Sequence, residues 1–151
     1  MTLIDPDKLA REITEEILKK DQATVQLGMA VENVAAGRVT LTMTVRPDML
    51  NGHDICHGGF IFTLADSACA IASNSRNTNM VLQSSTITYL NAARLGEKLT
   101  AVGEEQNLRG RSGIIDVTVS GQDDTMIAMF RGLVRAIPGH TLPQYAKDNG
   151  G

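Results

Sequence analysis

The sequence predicts an α+β fold in which one antiparallel sheet packs on a single buried helix. Helical and strand-like stretches are segregated in the order helix, two strands, long apolar helix, four strands, whereas a parallel fold would alternate them. The strand-like stretches are rich in β-branched residues and are divided by short Gly, Asn and Asp turns. From Phe60 to Ala72 the chain is apolar on most faces and rich in alanine, as expected of a helix surrounded by protein.

Residues 6–20 place Leu9, Ile13 and Ile17 on one helical face, with acids early and lysines last, which suits the helix dipole. Gln26–Val34 and Arg38–Val45 alternate around Ala36-Gly37 as a hairpin that Pro47 ends. The polar turn Asn51–His57 runs through Gly58-Gly59 into the long helix, with Asn74 as its stop. Asn77-Thr-Asn then turns into a strand over Met80–Leu90, and Asn91–Gly96 breaks it. Lys98–Gln106 pairs with Ser112–Ser120 across Leu108–Arg111, and Gly121–Asp124 leads into the last strand, Met126–Ile137. Little order is expected after Pro138. The reading is one domain over 1–151, with its core over about 25–137, an extra N-terminal helix and a tail at 138–151.

Composition narrows the function. A formal charge of −3 with 21% charged residues offers no basic field for nucleic acid. The N-terminus has no basic segment followed by an apolar run, and no stretch is long enough to span a bilayer, so a cytoplasmic protein without membrane partners is expected. Cys56 and Cys69 are too few for a disulfide framework and are expected as reduced, buried thiols. His53, Asp54, Cys56 and His57 match no recurring zinc spacing, so no metal and no cofactor is expected. Ser67 and Ser73 lack a Gly-x-Ser-x-Gly elbow and read as helix-packing residues.

One carboxylate stands out. Asp66 lies within the apolar helix, where a charge is costly unless it is paired, hydrogen-bonded or used. The first turn of the same helix, at Gly58, aims unpaired backbone N–H groups and a positive dipole end beyond His57, a ready oxyanion site. At about 1.5 Å per residue, His57 and Asp66 are roughly 12–13 Å apart along the axis. One subunit therefore cannot bring both to one carbonyl carbon. If they act together, an antiparallel partner helix supplies the second half, which implies a two-fold dimer with two shared sites.

The pattern Asn51, His57-Gly58-Gly59, Phe62, Leu64-Ala65-Asp66 resembles the hotdog-fold acyl-CoA thioesterases, and among them the small phenylacetate-degradation type. The likeness runs from about Val25 to Ile137, through Thr86–Asn91 and Ala128–Gly132. It implies a sheet wrapped around the long helix, an acyl-CoA substrate, and dimers that pair into a homotetramer. It also supports the same four catalytic residues: Asp66 as nucleophile or general base, Gly58 N–H on the carbonyl oxygen, Asn51 holding water or thioester, and His57 orienting the turn or donating a hydrogen bond. Arg109, Arg111 and Ser112 form a small basic tip suited to a phosphate of coenzyme A, although a solvated hairpin turn reads nearly as well. The resulting expectation is hydrolysis of aryl-acetyl-CoA type thioesters. Two other hotdog activities compete with it: non-catalytic acyl-CoA sensing, and hydration or dehydration of an acyl-CoA with His57 and Asp66 as the acid–base pair.

Overall fold

The computed structural model describes residues 3–146. Helix α1 (Pro6–Leu18) is capped by Asp5, whose carboxylate accepts from the Lys8 N–H at 2.8 Å, and has Pro6 in its first turn. It buries Ala10 and Ile13. A short helix α2 (Gln22–Gln26) follows, capped by Asp21. The strand expected to open at Gln26 therefore starts later, and β1 spans Ala30–Ala35. Asp21 with Thr24 three residues on is an N-cap arrangement, and that local bonding takes this stretch into helix.

The other strands are β2 (Arg38–Thr44), β3 (Met80–Tyr89), β4 (Lys98–Arg109), β5 (Ser112–Ser120) and β6 (Met126–Ala136). Their order across the sheet is β1-β2-β4-β5-β6-β3, and every neighbouring pair is antiparallel. β4 extends past the expected Gln106 because a bulge between Glu105 and Asn107 keeps its pairing with β5 as far as Arg109–Ser112.

Helix α3 (Gly58–Asn74) lies against one face of this sheet. The inward set includes Val39, Leu41, Leu99, Ala101, Ile115, Val117, Ala128 and Phe130, all at most 3% exposed. Gly103 and Gly132 let the helix sit close. A Cβ at Gly103 would stand 3.0 Å from the Ala68 carbonyl oxygen, and one at Gly132 would stand 2.9 Å from the Cys69 sulfur. The outward face carries an ionic row in which Arg38 pairs with Glu104 and Arg131 with Asp116.

The start of the tail is ordered, contrary to the sequence expectation. Asn77, buried and at φ 68°, donates to the Leu142 carbonyl at 2.8 Å and accepts from its N–H at 2.9 Å. Leu142 is 8% exposed, and a 3-10 turn follows at Pro143–Tyr145. The expectation for 147–151 lies outside the described residues. Among the described residues no helix is long and apolar enough to cross a membrane.

Candidate active site

The turn before α3 is held from both sides. The His57 N–H donates to the Met49 carbonyl at 2.7 Å and the Cys56 N–H to the Ala93 carbonyl at 2.8 Å, tying it to the turn after β2 and to the loop after β3. Within it, Asn51 Oδ1 accepts from the N–H groups of His53 at 2.9 Å and Ile55 at 3.4 Å. Asp54 takes a left-handed conformation, φ 58°, which an aspartate tolerates in a tight turn. This bonding uses only the carbonyl side of the Asn51 amide. Its NH2 has no acceptor among the described residues and remains available as a donor.

His57 is the N-cap of α3, and its Nδ1 accepts from the Gly59 N–H at 2.9 Å. With Nδ1 accepting, a neutral ring carries its proton on Nε2 and keeps one donor outward. The Gly58 N–H has no protein acceptor among the described residues. It is a free amide at the positive end of a long helix.

Tyr89, at the end of β3, was not singled out by sequence reasoning. Its hydroxyl donates to the Gly58 carbonyl at 2.9 Å, and its ring covers the glycine so closely that a Cβ there would stand 3.0 Å from Tyr89 Cζ. No sequence spacing signals this contact, because it joins two segments that only the fold brings together.

Asn51, Cys56, Gly58, Ile61, Tyr89 and Ala93 line a cleft of about 370 Å³. A larger hollow of about 580 Å³ lies over the outward face of the sheet, beside Thr118, Met129 and Arg131. Its Asp116 is already held by Arg131 through contacts of 2.6 and 2.7 Å, and no helix terminus opens into it. The groups suited to acyl chemistry sit in the smaller cleft.

Asp66 does not line that cleft. It sits half-buried further along α3 and has no hydrogen-bond partner among the described residues. Burial pushes its pKa above the ordinary aspartate value, and the nearby Asp21 carboxylate adds to the rise. The structure thus brings Asn51 and Gly58 to one cleft, leaves His57 exposed at the helix start without lining that cleft, and holds Asp66 apart.

Arg109 and Arg111, both exposed, and the half-buried Ser112 form the β4–β5 tip. Ser112 pairs with Arg135, while Tyr89 pairs with Ala128 on the same strand β6. At about 3.3 Å per strand residue the tip is roughly 23 Å from its own protomer's cleft. Cys56 and Cys69 are buried free thiols pushed up to about 11 and about 12, the first by burial and the second by burial and then the Asp66 charge. Neither has the thiolate character of a nucleophile.

A six-stranded antiparallel sheet wrapped on one such helix is the hotdog fold, and the class it defines here is that of thioester hydrolases. The chain belongs to the thioesterase superfamily, whose family model matches residues 53–128. It is 36% identical over 121 residues to the acyl-coenzyme A thioesterase PaaI of Escherichia coli K12, covering 80% of this chain and 86% of that one. The structure of the E. coli PaaI protein from the phenylacetic acid degradation operon superposes with a TM-score of 0.89 at 32% identity, covering 90% of this chain and 99% of the other. A Streptococcus mutans UA159 protein bound to acetyl CoA superposes with a TM-score of 0.72 at 28% identity, over 74% of this chain and 90% of that one.

Proposed function

We propose that the chain is an acyl-CoA thioesterase for aryl-acetyl thioesters, working as a two-fold dimer with two shared sites. The observation that carries this reading is the division of the site along α3: a Gly58 N–H with no acceptor among the described residues opens into the cleft, and Asp66, with no hydrogen-bond partner among them, lies well beyond its reach. The names of the E. coli relative support the acyl-CoA substrate and the aryl-acetyl preference.

In this reading the thioester oxygen accepts from the Gly58 N–H, strengthened by the helix terminus, while Asn51 Nδ2 donates to water or to the thioester. Asp66 of the other protomer removes a proton from attacking water or attacks the carbonyl carbon itself. A C–O bond forms and the C–S bond breaks. The electron pair leaves on the coenzyme A sulfur, and a proton from water restores the thiol. Single turnover in ¹⁸O-water tests for direct attack: a mixed anhydride opened by water at the Asp66 carboxyl carbon puts an enzyme oxygen into the first acid released, whereas base catalysis, or opening at the acyl carbon, puts in a solvent oxygen.

β3 is an edge strand of ten residues, suited to antiparallel pairing with its copy. Such pairing brings the Met80 end of one β3 beside the Tyr89 end of the other. The tip with Arg109, Arg111 and Ser112 lies at the Met80 end, so it would face the second protomer's cleft from three to four strands away, roughly 15–19 Å. The tip would take a coenzyme A phosphate there. Dimers pairing again give the homotetramer, and the whole chain forms one domain.

The test is thiol release from aryl-acetyl, short-chain and long-chain acyl-CoAs by the wild type and Asp66→Ala. Turnover by the wild type alone supports the reading, and normal turnover by a folded Asp66→Ala refutes it. Mixing Asp66→Ala with Asn51→Ala subunits should restore activity, because one site of each mixed dimer is whole. No recovery after verified subunit exchange would count against sharing.

A further inference from the structure

Thr24 on α2 joins the N-terminal segment to the middle of α3. Its hydroxyl lies 2.6 Å from Asp21 Oδ2 and 2.8 Å from Ser67 Oγ, and Asp21 Oδ1 also accepts from the Thr24 N–H at 3.1 Å. Thr24 and Ser67 are both buried, at 1% and 8% exposed. The proton positions follow from counting donors. A carboxylate only accepts, so the single Thr24 proton points at Asp21, and the Ser67 hydroxyl must donate to Thr24 Oγ1. Ser67 is the chain neighbour of Asp66, so these bonds fix the Asp21 carboxylate against the turn of α3 that carries Asp66.

We propose that Asp21 is a positioning residue for the reaction: held through Thr24 against Ser67, its carboxylate sets a second negative charge beside the turn of α3 that carries Asp66. This rests on the role assigned to Asp66 above. Donors to a carboxylate stabilise its ionised form and make it a poorer base, whereas a neighbouring like charge has the opposite effect. The N-terminal helices thereby tune a group on the central helix.

The surroundings of Asp66 leave few other candidates. The sheet residues turned toward α3 are apolar, among them Leu41, Leu99, Val117 and Phe130. On α3 itself Cys69 is the titratable neighbour, and its thiol is neutral near pH 7 because it is pushed up to about 12. Asp21 is the charge that acts on Asp66, in the direction the geometry requires.

The experiment compares pH profiles of kcat/KM for the wild type, Asp21→Asn, Asp21→Glu, Thr24→Val and Asp66→Ala, with ¹³C NMR titration of the Asp66 carboxyl as a readout independent of turnover. Asparagine is also a good N-cap, so Asp21→Asn keeps α2 capped while removing the charge. Asp21→Asn is expected to move the acid limb and the carboxyl titration to lower pH by about half a unit or more. Thr24→Val should move both the same way by releasing the Asp21 carboxylate from its place against Ser67, and Asp21→Glu should stay near the wild type. Folded Asp21→Asn and Thr24→Val proteins that titrate with the wild type would overturn the inference, even with Asp66→Ala inactive. Turnover by Asp66→Ala would instead bring down the underlying reading, so the two failures are distinct.

Discussion

Gly58→Ala tests the oxyanion assignment most directly, because the added methyl group meets atoms whose positions are known. Its Cβ would stand 3.0 Å from Tyr89 Cζ, 3.1 Å from the Tyr89 hydroxyl and 3.3 Å from Cε1. All three are tighter than most real Cβ contacts, so either the ring swings out or the helix terminus retreats by a few tenths of an ångström. Tyr89 is 48% exposed and can move, but moving breaks its 2.9 Å bond to the Gly58 carbonyl, which helps hold the first turn of the helix in place. An oxyanion donor must lie about 2.7–3.1 Å from the developing charge, and losing one costs about 10²–10³ in kcat, or about 2.7–4 kcal/mol. Stability should change far less. An exposed hydrogen bond contributes about 0.5–1.5 kcal/mol, and replacing glycine in a helix returns up to about 1 kcal/mol. The net shift in Tm should then be within about 4 °C.

Thiol release across a substrate series, with thermal unfolding alongside, provides the assay. If the clash causes the loss, adding Tyr89→Ala should recover part of it, so the double variant is less impaired than the product of the single effects. A Gly58→Ala protein with kcat/KM within about threefold of the wild type would refute a catalytic role for this N–H.

Asp66→Asn should lower kcat by about 10²–10⁴, the range for a positioned acid–base group, with the fold intact by circular dichroism. The same substitution has a stability signature. A raised carboxyl pKa means the folded state binds the proton more tightly than the unfolded chain, so stability falls as pH rises from the ordinary aspartate value through the folded one. Denaturant titrations should find Asp66→Asn more stable than the wild type near pH 7, and equal stability at both pH 3 and pH 7 would contradict the shift. Tyr89→Phe should slow turnover without altering oligomeric state, as gel filtration with light scattering would check. Asn77→Ala removes both bonds to the Leu142 backbone and should cost about 1–3 kcal/mol, with faster proteolysis near residue 142 and unchanged kcat. Thiol labelling near pH 8 should leave Cys56 and Cys69 unmodified in the native protein and reach both after unfolding.

The architecture and the cleft half of the site were legible in the chain itself. Strand alternation and the apolar run ending in Asn74 depend on periodicity and local propensity, which act over a few residues and leave their mark in order. Gly58 with His57 before it, and Asp66 as the misfit in an apolar helix, were visible for the same reason. The split between them followed from helical rise alone. The sequence could also have revealed the Asp21 cap and its short helix, since an aspartate with Thr24 three residues on is a local pattern. Other features were decided by the tertiary structure. The ring of Tyr89 over Gly58, the clamp of Asn77 on Leu142, and the bonds from Asp21 through Thr24 to Ser67 join segments 31, 65 and 43 residues apart. Such contacts arise when the sheet closes on its helix and the ends of the chain wrap over it. Only that closure sets which buried hydroxyl donates and which ring lies over the free amide.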